Sequence, residues 1–175
     1  KKGFLYLVAI IDWYSRYVLS WGLSNSMDVS FCIEAVDKAL MISHPQIFNT
    51  EQGCQFTSNE FTEKLENSGI QISRDGRGRV FDNIFIERLW RTVKYEEVYI
   101  HSYDTVKEAK ESLDNYFRFY NNERLHQSLG YRTPEEVYTN RIINKQKEDE
   151  IIRELQQFFP HKVGSVQSFV SGYIY

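Results

Sequence analysis

The stretch Asp82-Asn-Ile-Phe-Ile-Glu87-Arg-Leu-Trp-Arg91-Thr-Val-Lys94 decides how the chain is to be read. In and just before it, Val80, Phe81, Ile84, Phe85, Leu89, Trp90 and Val93 recur at helical spacing, while Asn83, Glu87, Arg91 and Lys94 fall on one opposite stripe. The pattern predicts a buried helix with a single polar face. Taken alone, that face reads as a solvated stripe with an i,i+4 ion pair from Glu87 to Arg91. A second stretch, Asn49-Thr-Glu51-Gln-Gly53-Cys-Gln-Phe, adds another carboxylate. Glu51 follows the short strand candidate Pro45-Gln-Ile-Phe48 and precedes Gly53, so it stands where a strand ends and a loop opens, a place where α/β sheets build sites. Between Glu51 and Glu87 lie 35 residues, and Lys94 comes seven positions, two helical turns, after Glu87.

Further stretches join these two in order: Leu7-Val-Ala-Ile-Ile-Asp12-Trp-Tyr-Ser15-Arg16, Glu51-Gln-Gly53-Cys-Gln-Phe-Thr-Ser58, Gly76-Arg-Gly78-Arg-Val-Phe-Asp82-Asn83-Ile-Phe-Ile-Glu87, and Tyr120-Asn121-Asn-Glu-Arg124-Leu-His126-Gln-Ser-Leu-Gly130-Tyr-Arg-Thr-Pro134. With them the chain resembles the catalytic core of bacterial insertion-sequence transposases made from two reading frames, relatives of retroviral integrases. The resemblance runs from Leu5 to Tyr138. It implies an α/β, RNase H-like integrase core, a mixed sheet flanked by helices. It also implies an Asp-Asp-Glu set with 35 residues between the second Asp and the Glu. By match Glu51 stands at the second Asp and Glu87 at the Glu, both as catalytic groups and metal ligands. Lys94 and Arg91 would contact phosphates near the site, together with Arg77 of the Gly76-Arg-Gly78 loop and Arg79 just after it. The implied cofactor is a pair of Mg²⁺ or Mn²⁺ ions about 3.5–4 Å apart, held by carboxylate oxygens. The implied partners are DNA, as transposon ends and target, and either further copies of the chain or a full-length transposase.

Two departures from the family pattern matter. Glu51 replaces an Asp, and the extra methylene moves the carboxylate by roughly 1–1.5 Å, enough to cost about a hundredfold in rate. The family's first Asp lies on a strand before the hairpin, in a Trp-x-x-Asp-Ile-Thr-like stretch, and this chain begins at Lys1, downstream of that position. Asp12 is a candidate substitute for a metal ligand, although its simpler reading is a turn residue paired with Ser15 or Arg16. In the RNase H-like sheet the absent strand is the central one, and leaving its slot open would strand unpaired backbone inside the sheet. The chain is therefore expected to borrow a strand from its own tail or from a second copy, or to be a fragment of a longer product. Val163 to Tyr175 is the unassigned strand-like segment. The functional expectation is a transposase core for DNA cleavage and strand transfer, catalytically incomplete as this chain. The alternative is a non-catalytic DNA-binding or multimerising remnant that modulates a full-length transposase.

Composition sets the outer limits. At 175 residues, 42% hydrophobic and 15% aromatic, the chain has the makings of one packed globule rather than of a disordered segment. Its net charge of −3 gives no global nucleic-acid signature. Residues 74–94 nevertheless hold Arg74, Arg77, Arg79, Arg88, Arg91 and Lys94 against Asp75, Asp82 and Glu87, a local surplus of positive charge on an acidic body. The two cysteines, Cys32 and Cys54, lack metal-ligand spacing and make no disulfide framework, which fits a reducing compartment. No apolar run approaches a membrane span, so the expectation is a cytoplasmic, nucleoid-associated protein without a membrane partner.

Along the chain, Phe4 to Ile11 and Tyr17 to Leu23 read as a β-hairpin turning at Asp12-Trp-Tyr-Ser-Arg16. Asp28 caps a helix from Val29 to about Ile42, and Ser58 with Asn59 opens another that stops at Asn67-Ser-Gly69. Ile70-Gln-Ile72-Ser reads as a short strand. Thr105 to Tyr120 is an amphipathic helix, and Thr133-Pro134 opens a last short one. His126 reads as a hydrogen-bonded structural group rather than a ligand or base. Residues 1–140 form the core domain on this reading. Residues 141–175 form an extension without an assigned role, in which Lys145 to Phe159 reads as an amphipathic helix ended by Pro160.

Overall fold

β1 (Tyr6–Asp12) is apolar at almost every position because both faces of its sheet are covered. Leu7, Ala9 and Ile11 point into one buried cluster and Val8 and Ile10 into another, the alternation that a strand's period of two imposes. The computed structural model describes residues 4–74, 84–158 and 169–174. Within them the elements run β1, β2 (Val18–Ser24), α1 (Val29–Ile42), β3 (Ile47–Thr50), α2 (Asn59–Asn67), β4 (Gln71–Arg74), α3 (Ile84–Val93), α4 (Val106–Asn122), α5 (Pro134–Phe158) and β5 (Phe169–Ile174). A five-residue π-helical turn, Lys94–Val98, extends α3.

The sheet order is β2-β1-β5-β3-β4. β1 pairs antiparallel with β2 across the expected hairpin, and β3 pairs parallel with β4. β5 fills the central position. It runs antiparallel to β1, with Ala9 opposite Tyr173 and Asp12 opposite Val170, and parallel to β3, with Phe48 opposite Val170 and Thr50 opposite Gly172. Residues 169–174 of the tail segment singled out by its apolar, β-prone composition thus occupy the slot between the hairpin and the strand leading to Glu51. Backbone donors and acceptors on the inner edges of β1 and β3 are paired there instead of being buried without partners.

One layer sits on α1 and α2. Phe31, Cys32, Val36 and Ala39 of α1 and Phe61 and Leu65 of α2 pack with Phe48 and Phe56 against Val8 and Ile10. The other layer sits on α3 and α4, where Ile86, Leu89, Trp90 and Val93 meet Leu113, Tyr116, Phe117 and Tyr120 over Leu7, Ala9 and Ile11. Gly22 lets α1 approach β2 closely, since a Cβ there would stand 3.2 Å from Val8 and 3.4 Å from the Phe31 carbonyl.

Caps follow the sequence in most places. The Ser58 hydroxyl accepts from the Phe61 amide, and Thr105 accepts from that of Glu108. At α5 the capping box is complete, with Thr133 accepting from the Glu136 amide and Glu136 accepting from that of Thr133. Asp28 stands at the N-cap of α1 but makes no capping bond, because its carboxylate accepts from the Ser26 hydroxyl instead.

Two expectations shift. The strand before Glu51 starts at Ile47 and ends at Thr50, not at Pro45 to Phe48: Pro45 has no N–H to give a ladder, and the pairing with β5 and β4 carries on through Asn49 and Thr50. The last helix is not short. α5 continues for 25 residues, so the Thr133-Pro134 start and the amphipathic pattern beyond Lys145 belong to one helix. α5 is anchored at its beginning, where Tyr138 stacks on Tyr17 with ring centroids 4.7 Å apart and Arg141 reaches Asp12. Among the described residues no helix is long and apolar enough to cross a membrane.

Candidate functional site

Glu51 follows the last residue of β3 and is half-buried, at the mouth of a turn in which the Phe56 and Thr57 amides both donate to the Gly53 carbonyl. Gln55 is buried behind it and donates to the Met27 carbonyl, tying this loop to the start of α1. Glu87 lies in the first turn of α3 and is exposed, while its neighbours Ile86, Leu89 and Trp90 point into the core. An acidic side chain in a first turn is favoured by the helix dipole. Arg77 and Arg79, like Asp82 and Asn83, lie outside the described residues.

Both carboxylate oxygens of Asp12 are engaged within the fold. The residue is buried, its Oδ2 accepts from the Ser15 amide at 2.8 Å and the Ser15 hydroxyl at 2.7 Å, and its Oδ1 accepts from Arg141 Nη1 at 2.7 Å. The pairing with Ser15 agrees with the turn reading, whereas the ion pair with Arg141 crosses 129 positions of sequence and has no local signal. Among the described residues no three His, Cys, Asp or Glu side chains are gathered so that they could hold a metal ion. β5, in the central slot, reads Phe169-Val-Ser-Gly-Tyr-Ile174 and contains no acidic residue. The donor set described therefore does not fit a two-ion centre by itself, since hard divalent ions need several carboxylate oxygens converging on one point.

The polar stripe of α3 divides at the π-helical turn. Lys94 is the first residue of that turn and borders an apolar groove with Leu7, Trp90 and Val98. Arg91 borders a different cavity, of about 600 Å³, with Arg16, Arg88, Arg124 and His126. Here Arg124 donates to both oxygens of Glu96, Nη2 to Oε1 at 2.6 Å and Nε to Oε2 at 2.8 Å. That bidentate contact holds the Glu96 carboxyl below its ordinary range and the guanidinium above its own. His126 packs edge-to-face on Tyr120, and burial, then the charge of Arg124, lowers its pKa to about 4. This agrees with a structural histidine. Arg16 takes a left-handed backbone, φ 66°, at the end of the hairpin turn, which carries its guanidinium to 3.4 Å from the centroid of the Phe85 ring. Sequence reading missed the gathering of Arg16, Arg88 and Arg124, which come from three distant segments. The local signal was an arginine two residues after an aromatic in Tyr14-Ser-Arg16 and an arginine four residues before one in Arg91 to Tyr95.

Asn121 was another omission. Buried at the end of α4, its side-chain amide donates to the Val18 carbonyl at 3.0 Å and accepts from the Val18 amide at 2.9 Å, closing the outer edge of β2 as another strand would.

A mixed sheet with this strand order, hairpin first and helices on both faces, defines the class as RNase H-like. Two family models, both described as integrase core domain, match residues 1–79 and 68–134. The transposase for insertion sequence element IS904 of Lactococcus lactis subsp. lactis (strain IL1403) is 32% identical over 140 residues, 78% of this chain and 55% of that protein. The transposase for insertion sequence element IS629 of Shigella sonnei is 28% identical over 138 residues, 78% of this chain and 47% of that protein. Among solved structures, the HTLV-2 integrase catalytic core domain in complex with magnesium superposes with a TM-score of 0.60 at 18% identity, over 75% of this chain and 84% of that one. The chain spans about half the length of the curated relatives it matches. It belongs to the integrase core domain family, and bacterial insertion-sequence transposases are its relatives.

Proposed function

We propose that this chain is the core module of an insertion-sequence transposase, acting on DNA in transposition within the bacterial cytoplasm, and that residues 1–175 alone do not complete the chemistry. The observation that carries this reading is the placement of Glu51 directly after β3 and Glu87, 35 residues later, in the first turn of α3, on an integrase-core sheet. Incompleteness is supported by β5, which takes the central slot without an acidic residue, and by Asp12, whose oxygens are occupied by Ser15 and Arg141. DNA cleavage and strand transfer would then need a further carboxylate from a longer product or from a full-length transposase copy.

The direct test is a strand-transfer assay with labelled insertion-sequence ends in Mg²⁺ or Mn²⁺. The expected result is no transfer by residues 1–175. Transfer by the full-length enzyme of the same element should be lost on the equivalent of Glu87→Gln. Robust transfer by the chain alone would refute incompleteness. The second reading, a non-catalytic DNA-binding or multimerising subunit, is favoured by the acid-free central strand. It predicts salt-dependent DNA binding that Glu87→Gln leaves unchanged and that divalent ions do not strengthen.

A further inference from the structure

The cavity beside Arg91 is one half of a longer groove. A second cavity, of about 660 Å³, shares Arg16, Phe85 and Ser128 with it and continues past the hairpin turn to the start of α5. Among the described residues the walls of the two carry six guanidiniums, Arg16, Arg88, Arg91, Arg124, Arg132 and Arg141, and one carboxylate, Glu96. Glu96 is taken by Arg124, and Arg141 is answered from behind by Asp12. Six cations against these two anions leave a surplus of four on a chain whose net charge is −3. Such a concentration repels itself unless an anion enters. Burial lowers the pKa of Arg16; Tyr120 and Asp12 oppose that shift, and the nearby charge of Arg88 adds to it.

Aromatic rings are interleaved with these charges. Arg16 lies over Phe85, Arg91 is 5.9 Å from the Tyr95 centroid, Arg124 is 6.0 Å from that of Tyr120, and Arg141 is 5.3 Å from that of Tyr14. Tyr14 and Tyr95 are 61% and 63% exposed, so rings are available at separate points of the groove. A duplex offers phosphates but keeps its base faces stacked inside. An unpaired strand offers both, and guanidiniums that track a backbone beside rings that stack on bases are what non-specific single-strand sites are made of.

We infer that this groove, running from Arg91 and Tyr95 past Arg16 to Tyr14 and Arg141, binds single-stranded DNA. The choice of DNA rests on the transposition reading above, and the preference for a single strand rests on the groove alone. An unpaired segment at a transposon end or at the joined target would lie here. Arg88 contributes charge and Tyr95 stacking, and neither belongs to the carboxylate pair.

The test is fluorescence anisotropy of a labelled oligo-dT of about 15 nucleotides, and of the same strand annealed to oligo-dA, with the whole chain in a chelating buffer. The single strand should bind about tenfold tighter than the duplex. Arg88→Gln should weaken single-strand binding about five- to tenfold and make the log-log salt slope shallower by about 0.7. Tyr95→Leu should weaken it by a similar factor and leave the slope unchanged, while Arg88→Lys restores most of the affinity. Circular dichroism melts of each variant establish that it is folded. Equal or tighter duplex binding, or no loss in both Arg88→Gln and Tyr95→Leu, overturns the inference. Neither outcome touches the role of Glu87, which the strand-transfer assay with divalent ions measures separately.

Discussion

Arg141 Nη1 lies 2.7 Å from Asp12 Oδ1, joining the second turn of α5 to the end of β1 across 129 positions. The Asp12 carboxylate is almost wholly buried, with its side chain 4% exposed, and the Ser15 turn answers only its other oxygen. Arg141→Ala would leave a buried charge half compensated, and breaking such a pair from one side is costly. The expected loss is about 2–3 kcal/mol in chemical denaturation. Arg141→Lys should recover part of it, because a single hydrogen bond rather than a bidentate fork is at stake.

Asn121 gives a second prediction, on the opposite side of the hairpin. Its amide satisfies both polar groups of Val18, so Asn121→Ala removes two buried hydrogen bonds and exposes an edge of β2. Stability should fall by about 2 kcal/mol. Native-state hydrogen exchange should speed up at the Val18 amide more than at those of β1.

A pH dependence follows from His126. Folded, it takes up a proton near pH 4; unfolded, near 6.5. Between these values the unfolded chain holds more protons, so stability rises with pH across the window. His126 contributes in full above about 6.5 and loses that contribution as pH falls toward 4. Melting temperatures recorded from pH 4 to 7 should therefore slope less in His126→Gln than in the wild type. A wild-type imidazole titrating near 6.5 by NMR would contradict the assignment.

Much of this fold was legible because its signals are local. The unbroken apolar run of β1, the alternation in β2 and the 3/4 spacing in α1 and α4 each record a face buried against the sheet. The caps at Ser58 and Thr133 lie three residues from the amides they serve. Spacing and family pattern singled out Glu51 and Glu87, which stand directly after β3 and in the first turn of α3. Features formed by distant segments were not: the Arg141 to Asp12 pair, the clamp of Asn121 on Val18, and a groove drawing Arg16, Arg88 and Arg124 from three parts of the chain. The π-helical turn was hidden too, since Lys94-Tyr-Glu-Glu-Val98 carries no residue type that marks one. α5 read as two helices because its middle, from Asn144 to Glu150, is almost entirely polar, and a solvated helix gives no periodic signal.

The tail of this chain supplies the middle strand of its own integrase-core sheet. Ala9 and Tyr173 are opposed Cα partners in the antiparallel β1–β5 pair, and such partners stand about 4.5–5.5 Å apart, within disulfide reach. The measurement is air oxidation of Ala9→Cys/Tyr173→Cys in a Cys54→Ser background, since Cys54 is exposed and Cys32 buried. Peptide mapping and non-reducing gels then locate the bond. The expected outcome is a rapid link between positions 9 and 173 within one chain, at a rate independent of protein concentration. A link absent under oxidation, or formed only between chains as concentration rises, would contradict it.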